Sequence, residues 1–204
     1  MAMNLPIYPP EQYEALTIDG GGFAEFEELF KQLRRRWVKV EFLQHYDETG
    51  SEAFEAHLRG EREKAAEMVS KGVKAQWVYD HARAHDVSMI RIRVYKVPLT
   101  DYLSGFEYFA YVADEEMGER VYALDWELAA GLIDQTRVSD YLIFDDRAVV
   151  ALLYDEASGI VQEARLVTDG REVQAYVALT SGLLELAEPL RQSRFAALAE
   201  GRVS

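Results

Sequence analysis

The chain has 204 residues, 49% of them apolar, which suits one domain with a sizeable core. It has no cysteine, so disulfides, thiol nucleophiles and cysteine-ligated clusters are excluded. A formal net charge of −14 opposes long-range attraction to nucleic acid or acidic membranes, and no apolar run approaches the roughly 20 residues of a membrane span.

Residues 1–22 read as a flexible N-terminal arm, broken by Pro6, Pro9, Pro10 and the run Gly20 to Gly22. The run is no phosphate loop, because no Lys-Ser/Thr follows it. The N-terminus lacks a basic region followed by an apolar stretch, so no signal peptide and a cytoplasmic protein are expected. Residues 23–204 are expected to form a single α+β domain. Phe23, Phe26, Leu29, Phe30 and Leu33 recur at helical spacing, and Arg34 to Arg36 suit the negative end of that helix. Trp37 to Tyr46 reads as a strand with Val38, Val40 and Phe42 on one face.

Thr49 and Glu52 have capping-box spacing ahead of a helix over Glu52 to Ser70, with Gly60 a point of interruption. Gly72 breaks the helix, and a second one is expected over Val73 to Ala84. From Met89, Ile90, Ile92 and Val94 alternate with Arg91, Arg93 and Tyr95, a strand with one apolar face and one carrying two guanidinium groups. Pro98 ends it, and Thr100 caps a helix bearing Tyr102, Leu103 and Phe106.

Tyr108, Phe109 and Tyr111 fit either helix or strand. Gly118 turns into a short strand, Glu119 to Leu124, and Trp126 to Ile133 reads as a helical turn. Tyr141 to Phe144, Ala148 to Tyr154 and Ile160 to Val167 form a meander, turned at Asp145-Asp146 and at Ala157-Ser158-Gly159. Arg171 to Leu198 is helical, kinked or split at Pro189. The expected architecture is α+β: an antiparallel sheet of about five to six strands with helices from both ends of the chain packed on it.

His81 and His85 stand at i, i+4 and are weak metal candidates. The run His-Ala-Arg-Ala-His lacks the glutamate of a zinc-protease helix, so a solvated helix end is the favoured reading and no metal or other cofactor is expected. Asp145 and Asp146, with Asp155 nearby, suit Mg²⁺ or acid–base work, but Asp is also a common turn former. Arg91 and Arg93 need carboxylates, solvent or a ligand. Cross-strand pairing with Glu41 and Glu119 is favoured, and an anion-binding groove is the alternative. Arg91, Arg93, Asp101, Tyr102, Glu107, Glu119, Asp145 and Asp146 are the candidate ligand-binding residues. No nucleophilic constellation can be placed by spacing.

Several of these residues recur in an ordered pattern. Arg91-x-Arg93-Val94 precedes Pro98-Leu99-Thr100-Asp101-Tyr102-Leu103 and then Glu107. Gly118-Glu119, Phe144-Asp145-Asp146-Arg147 and Tyr154-Asp155 follow, with Leu58-Arg59-Gly60 upstream. Over roughly residues 23 to 180 the chain resembles an uncharacterised family of actinobacterial proteins, a domain of unknown function. It departs from that pattern at Ser104, where the family has Arg and where Gly105 is inserted, and at Tyr122, another Arg in the family. The resemblance implies no activity. It implies a gene setting beside helix-turn-helix regulators.

Three functions follow as expectations. The first is a non-enzymatic regulatory or adaptor protein whose acidic surface binds a protein partner such as a helix-turn-helix regulator, with no direct nucleic-acid contact and no membrane. The second is a small-molecule or nucleotide-processing enzyme, with an anion held by Arg91 and Arg93 and with Glu107, Glu119 or Asp145 as acid, base or metal ligand. The third is an acidic DNA mimic acting as an antirepressor, presenting Glu11, Glu14, Asp114, Glu115 and Glu116.

Overall fold

A computed structural model describes residues 12–19, 22–133 and 139–203. Pro6, Pro9, Pro10, Glu11, Gly20 and Gly21 of the expected arm lie outside the described residues. In chain order the strands are β1 (Glu14–Leu16), β2 (Ile18–Asp19), β3 (Gly22–Phe23), β4 (Arg36–Glu41), β5 (Ser88–Tyr95), β6 (Arg120–Asp125), β7 (Asp140–Phe144), β8 (Ala148–Tyr154), β9 (Val161–Val167) and β10 (Glu188–Pro189). The helices are α1 (Phe26–Lys31), α2 (Glu52–Leu58), α3 (Arg62–Lys74), α4 (Trp77–His85), α5 (Tyr108–Glu116), α6 (Trp126–Ala129), α7 (Gly170–Leu186) and α8 (Arg194–Ala199). A π-helical turn, Leu103–Glu107, runs into α5, and a 3₁₀ turn, Leu190–Gln192, precedes α8.

The main sheet has eight strands in the order β1-β9-β8-β7-β4-β5-β6-β10, and β2 pairs with β3 separately. It is mixed. β4, β5 and β6 are mutually parallel, and the remaining pairs are antiparallel. The expectation of an antiparallel sheet of five to six strands is therefore corrected. Parallel neighbours need a crossover, usually helical. Helices α2 to α4 supply it between β4 and β5, and the π turn with α5 supplies it between β5 and β6. The ambiguous aromatic run Tyr108, Phe109, Tyr111 belongs to that second crossover. The two edge strands, β1 on β9 and β10 on β6, have three and two residues, too few to show a period.

Much of the remaining local chemistry is close to its reading, but Gly72 does not break a helix and lies inside α3. Gly60, at φ +77, divides α2 from α3. The α2 cap is Ser51, whose hydroxyl accepts from Phe54 N at 3.3 Å, rather than Thr49. Thr100 Oγ1 accepts from Leu103 N at 3.1 Å, as expected of a cap. The C-terminal helix does split: α7 ends at Leu186, and Pro189 sits in an edge strand, where its missing N–H is least harmful.

The strands divide two cores. Val38, Val40, Ile90, Ile92, Val94, Tyr141, Ile143 and Val149 pack under α6 and α7. The opposite face presents Trp37, Met89, Leu142, Phe144, Val150 and Leu152 to the helical layer, which contributes Phe30, Val69, Val73, Tyr79 and Tyr111. Period-two alternation puts Lys39, Glu41, Arg91 and Arg93 on this second face, under helices rather than in water.

Candidate functional site

The functional region starts from one register. In the parallel pair β4/β5, Lys39 stands beside Arg91 and Glu41 beside Arg93. Glu41 and Arg93 are fully buried. Arg91 Nη1 donates to Glu41 at 2.9 Å, its Nε donates to Glu119 at 3.0 Å, and Asp114 lies 3.4 Å from Nη2. Arg93 Nε donates to the Tyr111 hydroxyl at 2.6 Å, and Nη2 reaches Glu41 at 3.1 Å and the Tyr46 hydroxyl at 3.2 Å. Arg93 Nη1 also donates to the Leu43 carbonyl. Lys39 Nζ meets Glu41 at 2.7 Å. Burial pushes the Glu41 carboxyl up, but Lys39, Arg93 and Arg91 outweigh it and hold it well below the usual range.

Carboxyls outnumber cations in this layer. Against Lys39, Arg91 and Arg93 stand Glu41, Glu48, Glu107, Asp114, Glu119 and Asp140. Burial raises Glu107, helped by Glu41, and raises Glu48, helped by Glu107. It raises Asp140 and pushes Asp114 up to about 6 against the pull of Arg91. The hydrogen bonds agree. The Tyr102 hydroxyl lies 2.9 Å from both Glu48 Oε1 and Glu107 Oε2. A phenol has one proton to donate, so the pair is satisfied only when one carboxyl holds a proton of its own. Tyr79 stands in the same way between Asp114 and Glu119.

A cleft opens over Lys39 and Tyr154, which line both of its lobes. The first lobe, about 350 Å³, is walled by Tyr46, Tyr102 and Tyr154, with Asp47, Glu48 and Glu107. Its rings are mutually braced: Tyr46 lies 6.0 Å from Tyr102 and 5.4 Å from Tyr154, both edge-to-face. Gly159 closes one wall at φ +74. A side chain there would place Cβ 2.8 Å from Asp47 N. The second lobe, about 470 Å³, is more apolar, with Phe23, Phe26, Trp37, Leu142 and Leu152 beside Arg91 and Asp114.

Of the residues singled out in the sequence, Arg91, Arg93, Tyr102, Glu107 and Glu119 come together here. Asp101 does not; its exposed carboxylate holds His57 Nε2 at 2.9 Å. Asp145 and Asp146 lie at the far end of β4. The Asp145 carboxylate accepts from the backbone N–H of Arg34, Arg35 and Arg36 at 2.8, 2.8 and 3.0 Å, which holds it below its ordinary range despite burial. Asp146 pairs with Arg36 at 2.6 Å. His81 and His85 face each other, with ring centroids 4.4 Å apart, but among the described residues no third His, Asp or Glu joins them in a metal-holding group. Sequence reasoning missed Lys39, Tyr46, Glu48, Tyr111, Asp140 and Tyr154 as site residues. Lys39 was detectable as a charge in phase with Trp37 and Glu41. Tyr46 and Glu48 lie between elements and carry no periodic signal. The inserted Gly105 lies within the π turn that precedes α5, where a Cβ would fall 2.6 Å from the His57 ring.

Residues 24–194 match the family described as Domain of unknown function (DUF6879). The chain belongs to that family. No curated protein matches it. Among solved structures it is similar to TrmBL2, an archaeal chromatin protein described as showing a novel mode of DNA binding, at 14% identity and a TM-score of 0.41. That match covers 81% of this chain and 49% of TrmBL2, so the chain spans about half the length of that protein. NucT from Helicobacter pylori is similar at 10% identity and a TM-score of 0.41, over 79% of this chain and 86% of NucT. Likenesses of this degree carry no argument about function. The expectation of no direct nucleic-acid contact gains nothing from these neighbours, one of which is described as DNA-binding, and it is withdrawn. Net charge sums the whole surface and does not decide what a single face can meet. Among the described residues no helix is long and apolar enough to cross a membrane.

Proposed function

We propose that this domain is a non-enzymatic regulatory adaptor that recognises a protein partner at the mouth of the cleft over Lys39 and Tyr154. The observation that carries this reading is the commitment of Arg91 and Arg93 to Glu41, Asp114, Glu119, Tyr46, Tyr111 and the Leu43 carbonyl. An anionic substrate would have to break buried ion pairs, at roughly 3–5 kcal/mol for an orphaned partner. The mimic reading is weakened as well, because Asp114 is buried in the layer.

The mouth of the cleft, by contrast, is acidic and accessible. Asp47 N donates to the Gly159 carbonyl at 3.1 Å, which sets Asp47 and Glu48 beside the turn bearing exposed Asp155 and Glu156. Such a rim favours a basic protein surface and speeds its encounter. A helix-turn-helix regulator is the partner class that the sequence resemblance implies. The test is association of the purified domain with such a regulator, followed by biolayer interferometry. Asp47→Lys combined with Glu156→Lys is expected to slow association about tenfold at low salt and to abolish most of its salt dependence. Unchanged association in that variant overturns the reading.

A further inference from the structure

We propose that the tyrosine-walled lobe of the cleft binds one alkylammonium or guanidinium group, a lysine or arginine side chain of the partner, which docks against Glu48 and Glu107 and displaces the proton that one of these two carboxyls holds. The source of the side chain rests on the adaptor reading. The site itself rests on geometry.

Three rings, Tyr46, Tyr102 and Tyr154, bound the lobe. Aromatic faces attract cations, more strongly where water is excluded. Lys39 already illustrates the preference from below, with its ammonium 5.9 Å from the Tyr46 ring centroid. Its charge is engaged by Glu41 at 2.7 Å; its pull on Glu48 and Glu107 is outweighed by burial, so both stay raised. Arg93 is the next cation, and its guanidinium stands 3.9 Å from Glu107, beyond a hydrogen bond. The lobe therefore holds two carboxyls joined by a single phenolic proton, with space of about 350 Å³ beside them, near the low end of ligand sites. A neutral or anionic group would leave the carboxyl pair needing its extra proton. A cation would let both ionise.

Binding in this way releases a proton to water, and the affinity rises with pH. The charged and titratable groups that surround the pair are Lys39 and Glu41 on β4, Arg91 and Arg93 on β5, Tyr102 ahead of the π turn, Tyr111 on α5, Asp140 on β7 and Tyr154 on β8. Tyr46 and Asp47 flank the pair on the loop after β4. The tyrosines stay protonated throughout, since burial raises Tyr46, Tyr102, Tyr111 and Tyr154 above their ordinary value.

The experiment uses the full chain and three capped pentapeptides, Gly-Gly-X-Gly-Gly, with X lysine, arginine or norleucine. Tyrosine side-chain NMR shifts locate binding, and calorimetry in buffers of different ionisation enthalpy counts protons. The lysine and arginine peptides are expected to bind at least about tenfold more tightly than norleucine, a difference of about 1.4 kcal/mol. They should shift Tyr46, Tyr102 and Tyr154, release up to one proton and tighten as pH rises above the ordinary glutamate range, the direction set by the raised Glu48 and Glu107. Glu48→Gln should remove both the charge preference and the proton release, and Tyr154→Leu should weaken binding without removing the release. Equal binding of the norleucine peptide, or no shift of the cleft tyrosines at about 10 mM peptide, well above ordinary affinities, overturns the site. If a protein partner binds while the peptides do not, the cation site falls and the adaptor reading stands. If the peptides bind but no protein forms a salt-sensitive complex, the adaptor reading falls and the site stands.

Discussion

Replacing Arg93 by methionine isolates the contribution of the buried ionic layer. Methionine keeps most of the apolar stem and removes only the guanidinium. Four acceptors then lose a donor: Glu41 Oε2, the Tyr111 and Tyr46 hydroxyls and the Leu43 carbonyl. Removing one partner of a buried pair typically costs 3–5 kcal/mol. Glu41 keeps Lys39 at 2.7 Å and Arg91 at 2.9 Å, so the low end applies, about 3 kcal/mol at pH 7. Against a whole stability of about 5–15 kcal/mol the variant should still fold, with a lower urea midpoint and an unchanged slope. The sign with pH follows from Glu41. Its folded-state ionisation lies below the unfolded value, so its stabilisation is present above the unfolded pKa and lost as pH falls towards the folded one. Arg93→Met has less of this to lose, and its deficit should shrink below about pH 4. A double-mutant cycle with Glu41→Gln should give a coupling of about 1–3 kcal/mol. A loss under about 1 kcal/mol with no coupling would refute the closed layer and return Arg93 to the list of ligand-binding groups.

Asp145→Ala strips the acceptor from three consecutive backbone N–H groups and should cost roughly 2–4 kcal/mol in chemical denaturation; a change within about 0.5 kcal/mol would show that water replaces it freely. Asp114 carries a raised pKa, so the folded state binds its proton more tightly and stability falls as pH rises from about 4 to about 6. Asp114→Asn should flatten that limb, gaining on the wild type by up to about 3 kcal/mol between pH 4 and 7; parallel stability–pH curves would count against the assignment. Gly159→Ala places a Cβ against Asp47 N at a left-handed φ and should lower the thermal midpoint by several degrees, which a melting curve reads directly.

Much of the local structure was legible because its signals are local. The alternation of Ile90, Ile92 and Val94 with Arg91 and Arg93 marks β5, and the Asp145-Asp146 turn, with both residues at positive φ, joins β7 to β8 as read. Thr100 as a cap and Pro189 as a break also follow from residue chemistry alone. The pairing of Arg91 with Glu41 and Glu119 was foreseeable from charge and strand face. Its extension to Asp114, Tyr111 and Tyr46 was not, because those residues arrive from a helix and a loop.

Composition, period and caps therefore determined from sequence most of the longer strands and helices, and that two arginines face one way. Only the tertiary structure decided that β4, β5 and β6 run parallel, that two short strands close the sheet edges, and that the arginines meet Tyr111 and Asp114 of α5. The physical reason is range. Side-chain period and capping act within a few residues, whereas strand order and register depend on which faces distant helices cover. Lys39, Glu41, Arg91 and Arg93 acquire their meaning only once those helices remove them from water.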